Sequence, residues 1–205
     1  MIRTSRRVVL PALIMAGATV LTACGNDEPP TLGPPAPVAG LVTSGDLPGS
    51  PQQESLGEDG VPPNGCTLGG AMSLQEHADQ TQFVQYALAG GTVVKSFLYT
   101  YQDAALLAKD WNLLVAGNKS CVGRMTGPPN GGYGLLEDLP ATVTGYETFL
   151  RTKTQVAHSE RAWSRRGTDS IVSVLVTHTT TDLAADPVAT LPADAKALTQ
   201  KAAAE

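Results

Sequence analysis

Apolar residues along this chain recur with two rhythms, every second position in some stretches and every third or fourth in others. Their order sketches the fold. Gln80 to Leu88 and Thr92 to Tyr101 read as strands, with Ala89-Gly90-Gly91 between them. A Gly-Gly pair supplies the positive φ angles of a tight turn, so the two runs predict a hairpin. On its second strand Val93, Phe97, Tyr99 and Tyr101 share one face with Lys95, while Val94, Leu98 and Thr100 share the other. Both faces are partly apolar, which places the strand inside a sheet with a helix over one side.

That helix follows at once. Asp103 is a plausible N-cap, and Ala104, Leu107, Ala108, Trp111, Leu114 and Val115 repeat at three- and four-residue spacing up to Gly117-Asn118. Trp111 on this stripe reads as core. Before the hairpin, Ala71, Leu74 and Ala78 have the spacing of a short helix. After the long helix, the glycine-dense run from Gly127 to Gly134 reads as a connecting loop, with Tyr133 exposed on it. It lacks the Lys-Ser/Thr pair of a phosphate-binding loop.

Three further strands are predicted over Thr142 to Thr152, Gln155 to Arg166 and Ser170 to Thr179. Ile171 to Val176 is the most β-branched run in the chain and belongs at the centre of the sheet. Arg166-Gly167-Thr168-Asp169 resembles a two-residue turn with Gly first, a register that sets His158 beside Thr177. A last helix is expected over Pro192 to Ala203, with Pro192 at its first position and Leu191 and Leu198 as docking contacts. The pattern predicts an α+β domain over residues 65–205: an antiparallel sheet of about five strands packed against one long helix and a C-terminal helix.

Composition sharpens the boundaries. All ten aromatic residues lie between Phe83 and Trp163, which is where the core must be built. Gly25 to Asn64 holds nine of the 15 prolines, seven glycines and no aromatic residue, and reads as a disordered tether. The net charge of -5 is uneven, since that stretch carries six acidic residues and no Lys or Arg. Residues 65–205 hold 11 basic and 13 acidic residues, without the basic patch that nucleic-acid binding requires.

The N-terminus is organised differently. Arg3, Arg6 and Arg7 precede an apolar run from Val8 to Leu21. Its fourteen residues are too few to cross a bilayer as a helix, for which about 20 are needed. The run closes on Leu21-Thr22-Ala23-Cys24, which resembles a bacterial lipobox. That resemblance implies a lipoprotein signal peptide over residues 1–23, removed on export, and lipid carried on Cys24 at the start of a tether over 24–64. It also implies a place on the outer face of the cytoplasmic membrane. Ser5-Arg6-Arg7-Val8-Val9-Leu10 partly resembles a twin-arginine export signal, with Val9 where Phe is usual, and the general secretory route stays open beside it.

With Cys24 used by lipid, Cys66 and Cys121 are left as a pair in an oxidising compartment and are expected to form a disulfide. Closing such a loop is worth about 4 kcal/mol in the chain-entropy model. The pair finds no third ligand at a recognised metal spacing, so no metal and no cofactor is expected. Catalytic patterns are scarce. The three histidines are His77, His158 and His178, and no Gly-x-Ser-x-Gly or His-Glu-x-x-His arrangement occurs. His158 and Glu160 share a strand face, and a strand histidine of this kind reads as a solvated surface residue, with a metal ligand as the alternative; Arg161, Arg165 and Arg166 read as a charged, solvated turn, with an anion site as the alternative.

A strand ending in Tyr99-Thr100-Tyr101, then Asp103-Ala104-Ala105 and an Ala/Leu-rich helix ending before Cys121, resembles the actinobacterial PknH-like extracellular sensor domain. Ala162-Trp163-Ser164-Arg165-Arg166-Gly167 before a Val-rich strand adds to the likeness, which spans roughly residues 66–203. It implies an antiparallel sheet packed with helices around a ligand cleft, in a lipoprotein form. The chain departs from that pattern in having one candidate disulfide where the kinase sensor has two, and the cleft residues do not carry over. The expectation is a membrane-anchored, non-enzymatic ligand-binding or sensing domain of unknown ligand. An extracytoplasmic hydrolase and a non-catalytic envelope scaffold with a protein partner are the alternatives.

Overall fold

The most β-branched run of the chain, Ile171 to Val176, forms the middle of the sheet, and the other elements arrange themselves to cover it. A computed structural model describes residues 37–54, 68–121, 131–136, 139–184 and 191–205, with side chains described for all but 68–72, 121 and 131–135. Its strands are β1 (Gln52–Glu54), β2 (Gln80–Leu88), β3 (Thr92–Thr100), β4 (Gly131–Leu135), β5 (Val143–Arg151), β6 (Val156–Arg166) and β7 (Ser170–Thr180). They make one antiparallel sheet of seven strands in the order β1-β2-β3-β7-β6-β5-β4. The helices are α1 (Leu68–His77), α2 (Ala104–Cys121) and α3 (Ala195–Ala204). The α+β class and the antiparallel sheet are as expected, with more strands than the five-strand reading allowed, and α1 falls where the spacing of Ala71, Leu74 and Ala78 suggests a short helix.

Both extra strands come from stretches read as irregular. β1 lies within the expected tether, and β4 lies within the glycine-dense run expected to be a loop. Backbone pairing explains the second case. Gly131 to Leu135 pairs with Leu150 to Tyr146 through main-chain groups, which glycine supplies as well as any residue. The side chain of Tyr133 lies outside the described residues.

Both faces of the sheet are covered. One carries Phe97, Tyr99, Tyr146, Trp163, Ile171 and Leu175, packed against Leu74 of α1 and Leu107, Trp111 and Leu114 of α2. Trp111 is core, as its place on the helical stripe predicts. Asp103 caps α2, its Oδ1 accepting from the Ala105 N–H at 2.8 Å. The helix runs on to Cys121 instead of stopping at Gly117-Asn118. Asn118 is fully buried and donates to the Thr144 hydroxyl at 2.8 Å, which holds that last turn against β5.

The opposite face carries Val84, Tyr86, Val94, Leu98, Val172, Val174 and Val176. Leu198 and Ala202 of α3 cover part of it, with Leu191 at the margin. Leu41, Val42 and Leu47 cover the rest, all under 8 % exposed. The Val42 N–H donates to the Ser96 hydroxyl at 3.1 Å, and the Tyr86 hydroxyl donates to the Val42 carbonyl at 3.2 Å. Residues 37–54 are thus a strap across the sheet, which corrects the reading of a tether running to Asn64. α3 also starts later than expected, at Ala195, with the Asp194 carboxylate accepting from the Ala197 N–H.

The β6–β7 connection corrects the register. Arg166 pairs with Ser170, so the loop is Gly167-Thr168-Asp169, with Gly167 at a left-handed φ of 59°. His158 consequently stands directly opposite His178, and not beside Thr177.

The strap is fastened to α3 through Asp46. Its Oδ2 accepts the Thr43 N–H and hydroxyl, each at 2.7 Å, and its Oδ1 takes the Lys201 ammonium. Burial works to raise this carboxyl, but the bonds from Lys201 and Thr43 outweigh it and hold the group below its ordinary 3.8. A depressed carboxyl contributes stability above the unfolded value, and the contribution is lost as the pH falls through the folded one. In thermal melts between pH 6 and pH 2, the advantage of the native chain over Asp46→Asn is expected to shrink below about pH 4. Leu41→Ala is expected to lower the unfolding free energy by about 2–5 kcal/mol in urea titrations, as core leucines do. A solvated tether would leave it unchanged.

Candidate functional site

Antiparallel register brings together residues that the sequence keeps apart. Glu147 on β5 stands directly opposite Glu160 on β6, and His158 lies two residues before Glu160 on the same face. One donor atom from each of the three side chains lies within 4.8 Å of the other two. His158 Nε2 and Glu147 Oε2 are 3.5 Å apart. This is the face that carries α3, and the first N–H of that helix, from Ala195, donates to Glu160.

The environments of the three groups differ. His158 is only 2 % exposed, and neither ring nitrogen has a hydrogen-bond partner among the described residues. A buried polar atom left unpaired costs about 1–3 kcal/mol, so this imidazole is an expensive feature for the fold alone. Glu147 is 40 % exposed and gives the cluster an opening to solvent. Burial raises the Glu160 carboxyl above its ordinary value, and the charges of Asp194 and Glu147 push the same way. Nearby His158 and the Ala195 N–H act against them. His178 flanks the cluster on β7, its Nδ1 at 2.9 Å from the Thr92 hydroxyl.

The expectation that His158 is a solvated strand residue is therefore corrected. Its shared face with Glu160 was legible in the alternation. Its burial and the approach of Glu147 depend on pairing with β5 and were not.

The three arginines do not meet. Arg161 and Arg165 point to the helix-paired face of α1 and α2 and Arg166 to the other, as alternation requires. Arg161 is 1 % exposed, stacked between Phe97 and Trp163 with its guanidinium carbon 5.4 and 4.7 Å from the two ring centres. Its Nε donates to the Ser173 hydroxyl at 3.1 Å. The solvated-turn reading fails for this residue, whose cation is held inside the core by aromatic faces.

His77 belongs to a joint of another kind. Its Nδ1 is 3.0 Å from both carboxylate oxygens of the buried Asp110, which also accepts from the Tyr101 hydroxyl at 3.1 Å. Burial and then the Asp110 charge push the Tyr101 hydroxyl well above its ordinary value. The joint ties α1, α2 and the end of β3 together. A separate groove of about 460 Å³ lies between the strap and the start of α3, lined by Asp46, Leu47, Pro48, Ala193, Asp194 and Leu198.

Cys24 and Cys66 lie outside the described residues, as do the expected signal segment and the start of the expected tether. Cys121 is the last residue of α2, its side chain outside the described set, so the expected disulfide stays a proposal. Among the described residues, no helix is long and apolar enough to cross a membrane.

No protein-family model matches the chain, and no curated protein resembles it closely enough to be counted as a relative. The likeness to the PknH-like sensor domain rests on the residues that suggested it.

Asp110→Ala removes the acceptor for the buried Tyr101 hydroxyl and for His77. It is expected to cost about 1–3 kcal/mol in chemical denaturation. A loss within error would mean that the joint is held by packing alone.

Proposed function

We propose that the chain is a lipid-anchored extracytoplasmic protein whose α+β domain binds a small ligand, in the manner of a sensing or binding module. Anchoring is supported by Leu21-Thr22-Ala23-Cys24 behind a basic and then apolar segment. Two buried acyl chains give stable attachment where one gives only marginal binding. Ligand binding is carried by one observation: a histidine buried in the sheet, neither ring nitrogen hydrogen-bonded among the described residues and Nε2 held only by a 3.5 Å contact to Glu147, facing two carboxylates of which one is open to solvent. Groups that cost stability in the empty protein are repaid when a ligand supplies their missing partners. The resemblance to the PknH-like sensor domain agrees with this reading and supplies no ligand.

The two halves of the proposal are tested separately. Cys24→Ser is expected to move the chain from the detergent phase to the aqueous phase in a cloud-point partition and to abolish labelling by an alkynyl fatty acid. Undiminished labelling and unchanged partition would remove the anchor. For binding, a thermal-shift screen of the full chain against envelope metabolites and metal salts is the direct measurement. A ligand at 100 times its dissociation constant adds about 2.7 kcal/mol. A screen in which no compound class moves the transition would count against a binding module.

A further inference from the structure

Two anomalies sit side by side in this sheet. Glu147 and Glu160 are like charges placed directly opposite on paired strands, an arrangement that works against pairing. His158 is a buried imidazole without a hydrogen-bond partner among the described residues. A single cation among the three side chains would remove both. It would neutralise the facing carboxylates and give a ring nitrogen its missing partner.

We propose that Glu147, His158 and Glu160 form a binding site for one divalent transition-metal ion, of which zinc is the best match. The assignment rests on the binding reading above and names its ligand class.

The distances fit. Donor atoms bound to one zinc at about 2.0–2.2 Å stand roughly 3.4 Å apart when the angle between them is tetrahedral. His158 Nε2 and Glu147 Oε2 are already 3.5 Å apart. All three donor atoms lie within 4.8 Å of one another. Rotation of a glutamate about its terminal bonds closes that gap without moving the backbone.

The donor set selects the ion. Calcium and magnesium take oxygen ligands almost throughout, and an imidazole in the set disfavours both. One nitrogen and two carboxylates suit zinc, with manganese and iron as the weaker competitors in the order of divalent affinities. Three protein ligands leave a fourth position free for water or an exogenous donor, which is the coordination of open sites and not of closed structural ones. Solvent reaches this position beside Glu147, which is 40 % exposed.

The test uses the full chain, stripped with a chelator and dialysed. Calorimetric titration with zinc chloride is expected to show one ion per chain. A hundredfold excess of calcium chloride is expected not to compete. Glu147→Gln keeps the shape of a half-exposed side chain and removes one charged ligand, so the fold is retained. It is expected to weaken zinc binding by about 100-fold or more, since changes one shell further out cost 10–100-fold. His158→Asn should do the same, and Glu147→Gln keeps the proposal testable if that buried variant fails to fold. Absence of stoichiometric binding in the native chain would overturn the assignment, and so would binding that neither variant weakens. If zinc fails while a metabolite shifts the melting transition, the metal assignment falls and the binding reading stands.

Discussion

An antiparallel sheet whose middle strand is apolar on both sides has to be covered on both sides, and the remaining structure answers to that requirement. Ile171, Val172, Val174, Leu175 and Val176 of β7 are all buried, each worth about 1.5–3 kcal/mol when fully removed from water. Net stabilities of domains are only about 5–15 kcal/mol, so neither face could be left open. One face is closed by α1 and α2 through an aromatic layer. The other is closed by α3 together with a strap of eighteen residues, 37–54, that has almost no regular structure of its own.

How much of this was legible depends on whether the cause was local. The hairpin of β2 and β3 follows from apolar runs flanking Gly90 and Gly91, whose φ angles of 81° and 82° are those a tight turn demands. The start of α2 follows from Asp103, and the central place of β7 from its β-branched run. The strap was illegible because Leu41, Val42 and Leu47 are scattered among prolines and glycines with no period. Their burial is decided by the vacant sheet face that they meet, and composition alone marks the segment as unfolded. β4 was hidden for a related reason. Its glycines contribute only backbone, and their strand character comes from β5.

The candidate site was half legible. His158 and Glu160 share a face by alternation, but Glu147 lies eleven residues before His158 and enters only through the pairing of β5 with β6. A histidine flanked by Ser159 and Glu160 looks solvated when read alone. The start of α3 over Glu160 changes that, and it depends on the Asp194 cap, two residues after the proline that seemed to open the helix. Arg161 shows the same limit in reverse, since its cation is accommodated by Phe97 from β3 and Trp163 from its own strand.

The three-residue connection at Gly167 has a consequence far from itself. In β6 and β7 every cross-strand partner, from Arg166 with Ser170 to His158 with His178, is counted outward from that one loop. At about 3.4 Å per residue, His158 stands roughly 27 Å along the strand from Arg166. Losing or gaining a single residue at this exposed corner would displace one strand past the other and turn alternate side chains through to the wrong layer. The corner therefore acts as a ruler, and homologous chains would be held to its length more tightly than to the residues that fill it beyond Gly167.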